Sequence, residues 1–182
     1  MFLAQEEVLG PFVVGAAIIL AAAQTAPAAD PLLPARSGQV QCYAPDTARK
    51  TCRALAQYKF SNDNKVENIA QVLVSKNGPV VMMTASPVTV RAGAICGTIR
   101  AEDVRSAGFI VAGQPAPDVL ADQIRRQLLP AMSNELGKEV CTSYVQADTG
   151  FTTKVTVNGV AHPEIVDKVI WVGASEGYVV AP

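Results

Sequence analysis

The chain has 182 residues, 49% of them hydrophobic and 17% charged, with a formal net charge of −1. That length and apolar content support one packed core and exclude a disordered chain. The balance is electrostatically bland: the largest basic groupings are Arg49-Lys50 with Arg53, and Arg125-Arg126, which excludes the footprint that neutralises a nucleic-acid backbone.

Residues 12–23 form an uncharged apolar run, followed by small residues at 24–29. Together they resemble an export signal, whose hydrophobic segment spans about 7–15 residues. Residues 1–28 are therefore expected to be a signal peptide cleaved after Ala23 or Ala28, giving a periplasmic or secreted protein. The preceding residues carry Glu6 and Glu7 without any Lys or Arg, which departs from the basic start of such signals. A membrane-spanning helix needs about 20 apolar residues, so no stable span is expected after cleavage. Residues 29–38 contain Pro31, Pro34 and Gly38 and read as an extended Pro-rich linker, leaving residues 39–182 as a single α+β domain.

Within that domain, residues 39–43 read as a strand, 44–48 as a proline turn and 51–60 as the return strand. On that strand Cys52, Ala54, Ala56, Tyr58 and Phe60 alternate onto one face. Residues 65–75 form the next strand, and Asn77-Gly78 marks a hairpin, because both residues tolerate positive φ. Residues 79–84, 87–90 and 94–97 continue the meander. Residues 101–107 read as a short helix closed by Gly108. Residues 117–136 carry apolar positions at Leu120, Ile124, Leu128, Met132 and Leu136, the stripe of an amphipathic helix broken at Pro130 and stopped by Gly137. Strands are expected at 139–146, 152–157, 168–172 and 178–181. This pattern predicts an α+β fold, a mostly antiparallel β-sheet with one main amphipathic helix packed on it.

Four cysteines permit three pairings. Cys42 and Cys52 flank the proline turn on consecutive strands, whereas Cys96 and Cys141 flank the helical excursion, so the expected bridges are 42–52 and 96–141. The cysteines lack the close ligand pairs of a zinc site and the CxxC of a redox enzyme. No metal or other cofactor is therefore expected, and Asn62-Asp63-Asn64 lacks the rest of a calcium loop.

His162 is the chain's one histidine, next to Pro163, and reads as a solvated loop residue. The nucleophile-elbow, P-loop, zinc-protease and dinucleotide patterns are all missing. Glu102-Asp103 and the Glu135/Glu139 pair read as hydrated helix-surface carboxylates, while Ser143, Tyr144, Ser175 and Glu176 read as ordinary strand and strand-end residues. Most aromatics sit on expected strands, where they complete a β core. Trp171 and Tyr178, flanking the turn at 173–177, are the candidates for an interaction surface. The expectation is a non-catalytic binding or interaction module with an unidentified protein or envelope partner. The alternatives are an envelope hydrolase using His162 and a structural envelope protein.

Overall fold

The structure, a computed structural model, describes residues 30–63, 65–75 and 78–182. The expected signal peptide lies outside the described residues, as do Asn64 and Asn77. In chain order the elements are α1 (Leu33–Arg36), β1 (Gln39–Tyr43), β2 (Thr51–Cys52), β3 (Ala54–Phe60), β4 (Val66–Ser75), β5 (Val80–Arg91) and β6 (Ala94–Thr98). They continue with α2 (Ala101–Arg105), β7 (Gly108–Val111), β8 (Gln114–Pro115), α3 (Asp118–Ala131), β9 (Glu139–Gln146), β10 (Phe151–Val157), β11 (Val160–Ala161), β12 (Lys168–Gly173) and β13 (Val179–Val180).

Eight strands close into an antiparallel barrel in the order β4-β3-β1-β12-β10-β9-β6-β5, with β5 returning to β4. This corrects the expected α+β packing of one helix on an open sheet. The reason lies in how the inner face is buried. A half-buried sheet can cover its apolar face with a helix or by curling onto itself, and alternation along each strand is the same in both cases. Here the inward residues of opposing strands bury one another. Ala56, Tyr58 and Ile95 form the barrel core, with Tyr43, Phe60, Val66, Val88, Tyr144 and Trp171 packed against it. Tight places on the wall take small residues: a Cβ on Gly97 would lie 3.2 Å from Val88 Cγ1.

The stretch expected as a linker instead contributes to this core. Asp30 Oδ1 accepts from the Leu32 amide at 2.9 Å, starting a single helical turn in which Pro34 occupies a position that needs no backbone donor. Leu32 is 0% exposed and packs with Ala35 into one end of the barrel. Burying such a side chain contributes about 2–3 kcal/mol.

Residues Val80–Arg91 form one strand where two, 79–84 and 87–90, were expected. The second edge of β5 is shared: Val80–Met83 pair with β7 and Val88–Arg91 pair with β6. Pro87 falls in the interruption between them, where a missing ladder donor is tolerated. The hairpin of β7 and β8 turns at Ala112 and Gly113, with φ 49° and 80°, and the β5–β6 turn at Ala92 and Gly93 has φ 47° and 76°. Positive φ at both central residues gives the turn hand that matches strand twist.

The helix α3 ends at Ala131, five residues before the expected end, just past Pro130. It covers the flap formed by the first half of β5 and β7. Ala121, Ile124 and Leu128 meet Met82 and Phe109 there, and Arg125 Nη2 donates to the Ala107 carbonyl at 2.7 Å. Ala121 is the helix's one fully buried residue, and the stripe positions Leu120, Ile124 and Leu128 stay half-buried, so the helix covers a flap edge rather than the broad face of a sheet. At the end of the chain, β13 pairs in parallel with β2 on the barrel's outer side.

Candidate functional site

A row of polar side chains lies within the otherwise apolar barrel interior. Pairing sets Gln41 and Tyr43 of β1 on the inner face opposite Trp171 and Val169 of β12. Tyr58 on β3 faces Asn68 on β4, which in turn faces Ser86 on β5. The result is a polar row crossing the interior from β9 to α2. Gln41 is 0% exposed. Its Oε1 accepts from Tyr58 Oη at 2.7 Å and from Tyr43 Oη at 3.1 Å, and the Tyr43 and Tyr144 hydroxyls lie 2.7 Å apart. Three phenolic protons thus converge on one amide oxygen, directly or through a neighbouring hydroxyl. Gln41 Nε2 and Asn68 Oδ1 are buried and have no hydrogen-bond partner among the described residues.

Burial pushes the Tyr43 and Tyr58 hydroxyls well above the ordinary phenol value of 10.0, with the neighbouring Tyr144 adding to the shift. Burial also raises Tyr144, against hydrogen bonds to Tyr43, Gln41 and Tyr58 that oppose it. All three are therefore neutral donors at physiological pH. They are equipped to bind or to fix the barrel's shape, and none is poised as a base.

At its far end the row meets Asp103. The sequence reading set this residue on a hydrated helix surface; the structure buries it, 6% exposed, against β5. Ser86 Oγ donates to Asp103 Oδ2 at 2.7 Å, and Arg100 holds both carboxylate oxygens, with Nε 3.0 Å from Oδ2. The charge is thus paired, as burial requires. A cavity of about 180 Å³ opens beside these groups, lined also by Thr84, Thr98, Met82 and Met132.

Both expected disulfides are present, Cys42–Cys52 and Cys96–Cys141, and no cysteine is free. Cys42 and Cys52 pack with Val172, Leu55 and Tyr178 on the outer wall. The structure separates the two aromatic candidates. Trp171 points into the barrel, its ring 6.4 Å from that of Tyr58, whereas Tyr178 lies outside. Beside Tyr178, residues 178–182 border a cleft of about 540 Å³ whose other walls are Leu55, Gln71, Pro79, Val81, Ile110 and Gly113. A second hollow of about 210 Å³ shares Leu55, Gln71 and Tyr178 and continues along Gln57 and Ile69. Sequence periodicity could not have found this cleft, since it requires β13 to return to β2 across most of the chain.

His162 follows β11, and its Nδ1 meets Glu164 Oε1 at 2.7 Å. It lines neither the interior cavity nor the outer cleft. Glu135 pairs with Lys138, and Glu139 with Arg91, so the structure does not bring these two carboxylates together as an acid–base couple. Among the described residues no group of His, Cys, Asp and Glu is arranged to hold a metal ion, and no helix is long and apolar enough to cross a membrane. No protein-family model, curated protein or solved structure matches the chain.

Proposed function

We propose that this protein is a non-catalytic binding module, exported to an oxidising compartment, that uses the outer cleft beside Tyr178 to hold a small, mainly apolar molecule with a hydrogen-bonding end. The observation that carries the reading is the cleft itself. Its volume falls in the range of small-molecule sites. Its walls join Leu55, Val81 and Ile110 to the amide of Gln71 and the ring of Tyr178, the mixture of apolar lining and few polar groups that such sites use. The wall behind it is stiffened by Cys42–Cys52. Two disulfides support export, because thiols stay reduced in most cytosols.

The barrel's outer strand faces carry exposed Lys59, Glu67, Arg91, Lys154 and Lys168. This favours contact with water over a lipid-facing band.

Titrating the protein with an environment-sensitive apolar dye such as anilinonaphthalene sulfonate tests the reading. Tyr178→Ala and Gln71→Ala should each weaken dye binding about tenfold, the scale of one lost anchor or buried hydrogen bond. His162→Ala should leave it unchanged. Dye affinity indifferent to both cleft changes would overturn the proposal, as would an esterase activity abolished by His162→Ala. N-terminal sequencing of the secreted protein tests export, with a start at Gln24 or Ala29 expected.

A further inference from the structure

The two disulfides occupy opposite surroundings. Cys42 and Cys52 are 0% and 1% exposed, sealed under Val172 and Tyr178. Cys96 and Cys141 lie directly opposite each other on β6 and β9, with Cα atoms 4.0 Å apart, in the closely spaced kind of antiparallel pair. Ile95 points inward to the core, so its neighbour Cys96 points outward. Cys96 is itself covered, but Cys141 is only half-buried, leaving one sulfur of this bridge within reach of solvent.

That sulfur has a cation beside it. Arg91, at the end of β5, places Nη2 3.5 Å from Cys141 Sγ. Glu139 acts in the opposite sense, pairing with Arg91 at 2.6 Å and lying 3.9 Å from the same sulfur through Oε2. We propose that Cys96–Cys141 is a thiol-exchange site for a small dithiol attacking as its thiolate, in which Cys141 is the sulfur attacked, Arg91 promotes the attack and Glu139 restrains it. Cys42–Cys52 stays inert under the same conditions.

The exchange proceeds as follows. One thiolate of the dithiol attacks Cys141 Sγ. A new S–S bond forms to Cys141, the Cys96–Cys141 bond breaks, and Cys96 leaves as a thiolate that takes a proton from water. The reagent's second thiol gives its proton to water, and the resulting thiolate attacks the reagent's first sulfur in the mixed disulfide: the S–S bond within the reagent forms, its bond to Cys141 breaks, and Cys141 leaves as a thiolate next to Arg91. The dithiol ends as a cyclic disulfide, having given two electrons to the protein. The guanidinium favours the step because negative charge accumulates on the sulfurs as the attacking anion arrives.

The test exposes the folded full chain to dithiothreitol, quenches with N-ethylmaleimide at intervals and maps labelled cysteines by mass spectrometry, with circular dichroism confirming an intact barrel. Cys96 and Cys141 should label first, with Cys42 and Cys52 protected. A brief pulse of glutathione should leave its adduct on Cys141. At low salt, Arg91→Ala should slow the exchange about threefold and Glu139→Gln should speed it about threefold, both effects shrinking in about 0.5 M salt. Opposite signs from two neighbouring substitutions separate local electrostatics from general loosening, which would speed both. Simultaneous reduction of the two bridges, an adduct on Cys96, or changes of the same sign in the two variants would each overturn the proposal.

Discussion

Gln41 shows how one residue can fix a barrel interior. Its Oε1 is the shared acceptor for hydroxyls carried by β1, β3 and β9. Losing it strands several donors at once, while losing one phenol strands none of comparable number. Gln41→Ala should therefore destabilise the protein by about 3 kcal/mol, and Tyr58→Phe by about 1 kcal/mol, measured as urea midpoints at constant slope. Equal effects would mean that the cluster does not act through its common acceptor. The same residues set an alkaline limit. Their folded-state ionisation lies above the unfolded phenol value of 10.0, so the folded state retains protons that the unfolded chain releases. This contribution is fully present below about pH 10 and is lost as pH climbs further. Phenolate absorbance at 295 nm should accordingly show most of its rise together with loss of the barrel's circular dichroism. Smooth titration of all tyrosines in a still-folded barrel would contradict this.

At the scale of elements, turns decide which strands meet. Ala92 stands at φ 47° in the β5–β6 turn, where a Cβ is unfavourable and glycine is not. Ala92→Gly should stabilise the protein by roughly 0.5–1 kcal/mol, read as a higher melting temperature, and a drop would mean the turn relaxes differently. The most local features were legible in sequence: β3 follows from its alternation, β1, β4, β9 and β10 from short strand-like runs between turn signals, α2 from the run ahead of Gly108, although Gly108 opens β7 rather than closing the helix, and both disulfides from cysteine positions relative to strands. The β7–β8 hairpin was not, because its Ala112-Gly113 turn lacks the Asn-Gly signature read at residues 77–78. The turn of α1 was hidden by two prolines that ordinarily signal extended chain; Pro34 instead serves its first turn. The tyrosine row was half visible, as aromatics on strands, but Gln41 gave no signal, since nothing local marks a polar residue that will face inward. The outer cleft and the partnering of β1 with β12 depend on contacts between chain ends, which periodicity does not report.

For the whole molecule, the ring is unevenly fastened. β3 and β4 share seven register pairs and β9 and β10 seven, but β10 and β12 share only Phe151↔Val169 and Thr152↔Lys168. The join is completed by the Thr153 amide donating to the Asp167 carbonyl at 3.0 Å and by Thr153 Oγ1 accepting from the Asp167 amide at 2.8 Å. Gly150 allows the backbones to meet there, since a Cβ on it would lie 2.4 Å from the Val169 carbonyl oxygen. Thr153→Val preserves shape but removes that acceptor. It should cost about 1 kcal/mol and raise amide exchange of Phe151 and Asp167 before that of β3 or β4; uniform acceleration around the ring would argue against a weak join. The eight strands thus behave as a belt with a short clasp. If the clasp slips, the belt remains continuous through its other seven junctions, and water gains a sideways path to the tyrosines while Leu32 stays seated in the barrel's end.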